Sequence, residues 1–402
     1  MGPMVTSVTA MPRLSSVPGG ADSRRPVAAE FFAGIGLVRL GLESAGFDVV
    51  WSNDIEPDKR DMYVGHFRDP ADRHVFALGD VSEVTGHQMP DDLVIAWASF
   101  PCTDLSLAGW RRGLGGTQSG TFWHFTRVIG EMGDRRPPVV ALENVVGLAT
   151  SHDGDDLGAA ISELNRLGYS VDVLTLDARR FVPQSRPRLF LIGAQNPPAD
   201  EPVPNSELRP DWLQAPFGDS TLTTHRAALP APPPPMTAGL SSLVERLPVA
   251  DERWWDAERT AAFVDSLSDV QAERLTKLRE ARVMSYRTAY RRTRNGVAVW
   301  EVRPDDVSGC LRTARGGSSK QALVVAGRGR VRVRWMTPRE YARLMGAGGY
   351  RLDGLRRNQA LFGFGDAVCV PVVGWLAERY LMPLVTGEMA PGAELSVAVA
   401  GV

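Results

Sequence analysis

Short apolar segments alternate with segments of helical periodicity between Pro26 and Ile192, and this alternation restricts the fold more than any other feature. Strands that alternate with helices form a mostly parallel sheet covered on both faces. The predicted fold is therefore α/β with a doubly wound sheet. The predicted strands are Val27–Phe32, Phe47–Trp51, Leu93–Ala98, Val139–Leu142, Tyr169–Leu176 and Leu189–Ile192, and the predicted helices are Leu37–Ala45, one that begins at Pro57, Thr121–Met132 and Leu157–Leu167.

The pattern changes after residue 195, where the chain becomes irregular and rich in proline up to residue 250. A helix, two short strands, a second helix and a long apolar stretch are predicted beyond it: Trp254–Arg282, Val297–Val302, Gln321–Val325, Arg339–Met345 and Val368–Leu381. The last stretch is apolar enough to need a partner surface, so it is predicted to dock on the first domain. The second domain is then an insertion in the first.

Five parts of the chain are predicted on this basis. Residues 1–25, rich in serine, proline and glycine, are a disordered lead-in. The first domain covers residues 26–195, and the smaller, irregular, β-containing insertion covers residues 196–345. Residues 346–385 return to the first domain and complete it with a helix, and residues 386–402 form a tail.

The composition is that of a soluble protein, with 402 residues, 44% hydrophobic and 23% charged. No run approaches the length needed to cross a bilayer, so no membrane partner is expected. Cys102, Cys310 and Cys369 are too few for a disulfide framework and indicate a reducing cytosol. No Cys/His cluster has zinc spacing, so no metal is expected.

Positive charge is concentrated in one segment, although the whole chain has a net charge of −2. Between Arg282 and Arg339 there are 14 lysines and arginines against three acids, a local net charge of +11. This imbalance favours a polyanion as partner, because each neutralised phosphate releases counterions. A solvated basic surface is the alternative.

A turn with two glycines joins the first predicted strand to the first helix, in Phe32-Ala33-Gly34-Ile35-Gly36. A dinucleotide fingerprint would have a third glycine where Arg39 stands, so an adenosine ligand without phosphates fits better. Acidic residues follow successive strands: Asp54 is placed for ribose hydroxyls and Asp80 for an adenine amine. Glu30, beside the turn, could offset positive charge on a ligand. Taken singly, each acid is more often a solvated loop residue, but acids at successive strand ends favour the ligand site.

Pro101-Cys102 directly follows the apolar run of Leu93–Ala98. A thiol at this position lies at the carboxyl edge of the sheet, where open α/β folds bind ligands. Cysteine is intrinsically very nucleophilic, although most free cysteines are small core residues. The position alone leaves the two readings equally open.

Two further strand ends carry charged residues. Glu143 follows an apolar strand, where a carboxyl can have a raised pKa and act as an acid; a helix cap or surface acid is the alternative. Arg186 and Arg188, in Gln184-Ser185-Arg186-Pro187-Arg188, point to one face of an extended chain and suit an anion or carbonyl. Paired surface arginines on an edge strand are the alternative.

Taken in order, these motifs closely resemble those of the cytosine-5 DNA methyltransferases of prokaryotic type. The resemblance covers Pro26–Gly193 and about Gly309–Leu381. Besides the turn, Pro101-Cys102, Glu143-Asn144-Val145 and Gln184–Arg188, it includes Thr337-Pro338-Arg339-Glu340 and Gly365-Asp366-Ala367-Val368. It implies a Rossmann-like catalytic domain that binds S-adenosylmethionine, with S-adenosylhomocysteine as product, and a target-recognition domain that binds double-stranded DNA.

The resemblance also implies roles for single residues. Cys102 is the nucleophile that adds to C6 of a flipped cytosine, Glu143 holds the N3 edge and supplies a proton, and Arg186 and Arg188 orient the base. The implied donor contacts lie in the turn, at the second and third strand ends, at Pro101 and in the late block: Phe32, Ala33, Gly34, Ile35, Gly36, Asp54, Ile55, Asp80, Val81, Pro101, Asp366, Ala367 and Val368.

The sequence departs from the family pattern at two motifs. Phe100-Pro101-Cys102-Thr103 stands where Pro-Pro-Cys-Gln is common, and Asp366-Ala367 replaces the usual Asn-Ser pair. The target-reading region, about Pro197–Ser308, matches no pattern that reveals a recognition site. A tRNA cytosine-5 methyltransferase and a catalytically silent DNA-binding regulator are the alternatives. Family habit implies a cytoplasmic, nucleoid-associated monomer of a prokaryote or phage, with a cognate restriction or defence protein as a further partner.

Overall fold

The computed structural model of the chain describes residues 25–70, 72–101, 120–202, 206–294, 297–312 and 320–389. Within these residues the protein has two β-sheets. The first sheet has seven strands: β1 Val27–Phe31, β2 Asp48–Asp54, β3 Val75–Leu78, β4 Leu93–Ala98, β5 Val139–Val145, β6 Ser170–Asp177 and β7 Pro187–Ala194. The second sheet has four strands: β8 Ser285–Arg294, β9 Val297–Val302, β10 Ala322–Gly327 and β11 Arg330–Trp335.

The large sheet is mostly parallel, as predicted. Its strand order is β3-β2-β1-β4-β5-β7-β6, and only β7 runs antiparallel to its neighbours. Strand order reverses between β1 and β4, which lie side by side. A crevice forms at the carboxyl ends of strands at such a switch point, and ligands of open α/β sheets bind there.

Helices cover both faces of this sheet and form two separate hydrophobic cores. Side chains of the helices Leu37–Ser44, Pro57–Phe67, Arg357–Asp366 and Val370–Leu376 contribute to one core, and those of Thr121–Glu131 and Asp155–Arg166 to the other. The helices of the first domain are α1 Leu37–Ser44, α2 Pro57–Phe67, α3 Thr121–Glu131 and α4 Asp155–Arg166. Those that follow are α5 Ala215–Gly218, α6 Ala257–Asp265, α7 Asp269–Glu280, α8 Pro338–Leu344, α9 Arg357–Asp366, α10 Val370–Leu376 and α11 Met382–Thr386.

The carboxyl-terminal helices pack against the first domain. A Cβ on Gly41 of α1 would lie 2.5 Å from the Cβ of Val373 in α10, so the two helices approach closely. The run of Arg357–Thr386 is long and apolar enough to cross a membrane, which corrects the expectation that no run approaches that length. Burial explains its composition, because 61% of its most apolar window lies inside the protein.

Two predicted elements have different bounds in the structure. The single helix predicted for Trp254–Arg282 is wrong: α6 ends at Asp265 and α7 begins at Asp269, with Ser266 and Ser268 at the adjoining caps. Strand β5 extends through Val145, three residues beyond its predicted end at Leu142, because β7 pairs with it along its whole length. Glu143 therefore lies in the strand and not after it.

The second sheet is antiparallel throughout and has a small core of its own, which includes Phe263, Leu275 and Val333. Gln184, which is fully buried, joins this part to the first domain. Its side chain donates to the carbonyl of Leu344 at 2.8 Å and accepts from the N–H of Leu311 at 3.1 Å. The segment that precedes Arg186 is thus fixed between the two parts of the protein.

Candidate active site

The turn after β1 lies at the switch point and is held by the neighbouring strand. Its backbone is left-handed at Phe32, Gly34 and Gly36, with φ values of 57°, 56° and 78°. The N–H of Ala33 donates to the carbonyl of Asn53 at 2.8 Å, and the N–H of Gly34 donates to Oδ2 of Asp54 at 2.8 Å. These bonds tie the turn to the carboxyl end of β2.

Asp54 is the centre of this arrangement. Its side chain is buried, and its Oδ1 accepts a further hydrogen bond from the N–H of Glu56 at 2.9 Å. A carboxylate oxygen has two lone pairs, so each oxygen of Asp54 retains one for the hydroxyl groups of a ligand. Ile55, next in the chain, is 59% exposed and presents an apolar surface beside the carboxylate.

Two residues at the turn, Ile35 within it and Glu30 in the preceding strand, are buried. The side chain of Ile35 is fully buried in the core, and its carbonyl accepts a hydrogen bond from the Tyr350 hydroxyl at 2.9 Å. Glu30 is 1% exposed, and burial raises the pKa of its carboxyl well above the ordinary value. A buried acid of raised pKa favours the neutral form, so the structure does not support the predicted role of Glu30 in offsetting ligand charge.

Gly36 and Gly34 provide a matched pair of variants that tests this turn. A Cβ on Gly36 would lie 2.5 Å from the Phe67 ring and 2.7 Å from the Tyr63 ring, whereas a Cβ on Gly34 would meet only Cδ of Lys59, at 4.0 Å. Gly36→Ala is expected to lower the free energy of unfolding by about 2–4 kcal/mol, from overpacking added to left-handed strain. Gly34→Ala has only the strain, about 1–2 kcal/mol. Urea unfolding of both variants measures the difference, and equal losses would contradict the described packing.

The other predicted donor contacts are spread along the same edge of the sheet. Asp80 caps a short helical turn by accepting from the N–H of Ser82 at 2.8 Å, which holds the pKa of its carboxyl below the usual value. Val81 and Val368 are buried in opposite cores. Pro101 is half-buried and is the last residue described before Cys102, so Cys102 itself lies outside the described residues.

Asn144 fixes the segment that leads to Cys102. Its side-chain amide donates to the carbonyl of Phe100 at 3.2 Å, and its Oδ1 accepts from the N–H of Val145 at 2.8 Å. Asn144 is buried in β5, so this bond attaches the backbone just before Pro101 to the carboxyl end of β5. Sequence reasoning noted the Glu-Asn-Val motif without assigning this function to its asparagine.

Glu143 and Arg188 form an ion pair across β5 and β7. The Nε of Arg188 lies 2.7 Å from Oε1 of Glu143, and the two side chains are only 13% and 9% exposed. Few waters compete at such a site, so the arginine fixes the orientation of the carboxylate. A carboxylate held in this way can present its second oxygen to a ligand in the crevice.

Arg186 joins the catalytic candidates to the late Gly-Asp-Ala-Val block. One of its terminal nitrogens donates to the carbonyls of Gly365 at 3.2 Å and Ala367 at 2.6 Å. The other donates to the carbonyl of Leu311 at 2.7 Å. The side chain is 3% exposed, so Arg186 acts within the protein to hold the end of α9 and cannot contact a base in the solvent-facing crevice in this conformation.

A second thiol, which sequence reasoning did not place in the site, lies between the two arginines. Sγ of Cys310 is 3.3 Å from a guanidinium nitrogen of Arg186 and 3.9 Å from one of Arg188. Burial opposes ionisation of this thiol, but the two arginines outweigh it and lower the pKa below its ordinary value. Cys369, by contrast, is buried at the start of α10, and burial raises the pKa of its thiol to about 12.

Among the residues that the structure describes, no group of three or more histidine, cysteine or acidic side chains could hold a metal ion. The described site thus consists of a glycine turn with a carboxylate at a switch point and an acid–arginine pair on neighbouring strands. Together with the sheet, these features define the class of Rossmann-like methyltransferases.

The chain belongs to the C-5 cytosine-specific DNA methylase family, whose model matches residues 28–381. It is 36% identical over 171 residues to the type II methyltransferase M.BanI of Aneurinibacillus aneurinilyticus, and this alignment covers 41% of this chain and 37% of that protein. It is 30% identical over 168 residues to the type II methyltransferase M.HhaI of Haemophilus parahaemolyticus, covering 42% of this chain and 48% of that protein. The aligned part thus spans less than half the length of these two relatives.

Solved structures share the fold at low sequence identity. The methyltransferase EhMeth of Entamoeba histolytica has a TM-score of 0.59 at 14% identity, covering 91% of this chain and 99% of that one. The Dnmt2 methyltransferase of S. pombe has a TM-score of 0.58 at 16% identity, covering 90% and 99%. A putative DNA modification methyltransferase encoded within a prophage of E. coli has a TM-score of 0.52 at 18% identity, covering 90% and 99%.

Proposed function

We propose that this chain transfers a methyl group from S-adenosylmethionine to C5 of a flipped-out cytosine in duplex DNA, through a covalent bond between Cys102 and C6. The family match over residues 28–381 carries the proposal, and the matched range includes Cys102, Glu143 and the arginine motif. Two observations support it: the ion pair between Glu143 and Arg188, and the hydrogen bond from Asn144 to the Phe100 carbonyl just before Pro101.

The donor pocket is assigned to the turn after β1. Open space beside Gly34 allows a ligand to approach the backbone, and the remaining lone pairs of Asp54 suit the two hydroxyls of a ribose. S-adenosylmethionine supplies an electrophilic methyl group on a sulfonium, and no metal is required. Phe32, Ile55 and Pro101 provide apolar surface around the pocket, and Asp80 lies near the adenine.

The chemistry of the protein begins with the thiolate of Cys102. Its sulfur adds to C6 of the cytosine, which moves electron density to C5. Glu143, oriented by Arg188, binds the N3 edge and supplies the proton that stabilises this charge. C5 then forms the bond to the methyl group while the bond between the methyl group and the sulfonium breaks, which leaves S-adenosylhomocysteine. Loss of the C5 proton to solvent re-forms the double bond between C5 and C6 and expels the thiolate, and the N3 proton returns to Glu143. The covalent step divides one difficult reaction into easier ones.

Duplex DNA is the proposed acceptor, bound mainly by the inserted part of the chain. A cytosine inside a duplex is unreachable and must be flipped out, which costs a few kcal/mol. Phosphate contacts offset this cost, and the second sheet presents exposed arginines for them, including Arg292, Arg328 and Arg330. We assign residues 26–195 and 346–385 to catalysis and residues 196–345 to target recognition.

The biological setting follows from the relatives. Because M.BanI and M.HhaI are named as type II methyltransferases, we propose a restriction–modification or phage-defence function in the cytoplasm, at the nucleoid of a prokaryote. The protein would act as a monomer beside a cognate restriction or defence protein.

Methyl incorporation with two acceptors tests the proposed function. Purified protein is incubated with labelled S-adenosylmethionine and either duplex DNA or tRNA. In a second experiment, DNA from a host that expresses the gene is sequenced after bisulfite treatment. We expect label in DNA alone and protected cytosines in one sequence context. Label in tRNA alone would establish the RNA enzyme instead. Binding of DNA with no label in either acceptor would establish the silent regulator.

A further inference from the structure

Lys59 lies beside the glycine turn to which the donor pocket is assigned, although no motif includes it. It belongs to the first turn of α2, and a Cβ on Gly34 would lie 4.0 Å from its Cδ. Its Nζ lies 2.9 Å from Oδ2 of Asp366 at the end of α9. The side chain therefore runs from the glycine turn to the late Gly-Asp-Ala-Val block.

The charges around Lys59 are negative. Asp366 is its ion-pair partner, and the carboxylates of Asp54 and Glu56 also favour its charged form. Burial opposes the charge, but these acids outweigh it and raise the pKa of the ammonium. Lys59 and Asp366 remain 22% and 40% exposed, so solvent reaches both side chains.

Asp366 carries a negative charge at a position that is usually neutral. The resemblance to the family places an asparagine here, so the chain has a carboxylate where a neutral amide is usual. An unpaired carboxylate would repel the carboxylate of a donor. An ammonium 2.9 Å away removes this repulsion and leaves one positive and one negative group side by side.

We propose that Lys59 and Asp366 together bind the amino-acid end of the donor, the ammonium of Lys59 pairing with its carboxylate and the carboxylate of Asp366 with its α-ammonium. The two opposite charges match those of a zwitterion. This inference rests on the proposed function, since it concerns the same donor pocket.

Two ligands that differ in the amino-acid end test the pair. S-adenosylhomocysteine carries this end, and 5′-methylthioadenosine lacks both of its charges. Isothermal titration of the full-length protein gives both affinities for wild type and Lys59→Met. We expect Lys59→Met to weaken binding of S-adenosylhomocysteine roughly 10- to 100-fold, as for a lost bond between charged groups. Binding of 5′-methylthioadenosine is expected to change less than about threefold, because it makes no such bond.

Further variants separate this role from a structural one. Asp366→Asn in the Lys59→Met background removes both proposed charged contacts, and it is expected to weaken S-adenosylhomocysteine further than either single change while 5′-methylthioadenosine stays within about threefold. If Lys59→Met does not fold, Asp366→Asn alone is used for the same test. It is expected to weaken the binding of S-adenosylhomocysteine and to leave the binding of 5′-methylthioadenosine unchanged. Lys277→Met is the control, because Lys277 also pairs with an acid, Glu273, but on the exposed surface of α7.

Two results would overturn the inference: equal weakening of both ligands by Lys59→Met, or no weakening of either. In both cases the wild type still binds S-adenosylhomocysteine, so the proposed function stands. A wild type that binds neither ligand would contradict the proposed function itself.

Discussion

Cys102→Ser is expected to lower the single-turnover rate of DNA methylation by about 10³-fold or more, since a serine hydroxyl is a far weaker nucleophile than a thiolate. Binding of S-adenosylhomocysteine is expected to stay within about threefold of wild type, because the sulfur would act on the cytosine and not on the donor. The rate is measured with labelled donor at saturating DNA, with enzyme in excess over DNA sites.

Cys310→Ser is the matched control for this prediction. Cys310 is also a thiol at the site, and the guanidinium groups of Arg186 and Arg188 lower its pKa against the effect of burial. A serine hydroxyl can accept from the same arginines, so the rate is expected to stay within about tenfold of wild type. The reverse outcome, a large loss in Cys310→Ser and a small one in Cys102→Ser, would assign the nucleophile to Cys310.

Glu143→Gln is expected to lower kcat by about 10²–10⁴-fold, the range of a general acid–base contribution. The amide has nearly the same shape, but it cannot supply a proton to N3, and it leaves the largely buried guanidinium of Arg188 without its counter-charge. Steady-state kinetics on duplex DNA, with kcat and KM determined separately, measure the effect.

Glu163→Gln is the control for that change. Glu163 also pairs with an arginine, Arg166, at 2.8 Å, and it is 14% exposed, close to the 9% of Glu143. Its replacement is expected to leave kcat within about twofold, because Glu163 and Arg166 both lie in α4 and neither belongs to the site. A kcat in Glu143→Gln within fivefold of wild type would exclude Glu143 as the acid.

The sheet could be predicted from the sequence because its strands are buried on both faces and appear as continuous apolar runs. Leu93–Ala98 was predicted with the bounds that the structure gives. Strand order could not be predicted, since the insertion of β7 between β5 and β6 depends on pairing partners far apart in the chain. For the same reason the extension of β5 through Glu143 was missed.

The break between α6 and α7 was missed for a local reason. Helical periodicity continues through Trp254–Arg282, but Ser266 and Ser268 favour caps, and Leu267 forms a bridge to Trp300 of β9. Serine competes with the helix through bonds to its own backbone, a tendency that periodicity does not register.

The contacts within the site could be predicted only in part, because many of them join residues that are far apart in the sequence. Motifs identified Glu143, Arg186 and Arg188, but the chemistry of a residue type does not reveal its burial. Arg186 is enclosed and holds the end of α9, whereas Arg188 contacts the Glu143 carboxylate. Lys59 and Asp366 are about 300 residues apart in the sequence, and Cys310 is 124 residues from Arg186. No local sequence pattern predicts that these side chains meet.

A covalent trap tests the central claim most directly. Duplex DNA in which 5-fluorocytosine replaces cytosine is incubated with wild-type protein and S-adenosylmethionine, and the complex is denatured and digested. Fluorine at C5 cannot leave as a proton does, so the thiolate stays attached. We predict a denaturation-resistant complex whose DNA-linked peptide contains Cys102. An adduct on another residue, or an active enzyme that forms none, would contradict the account.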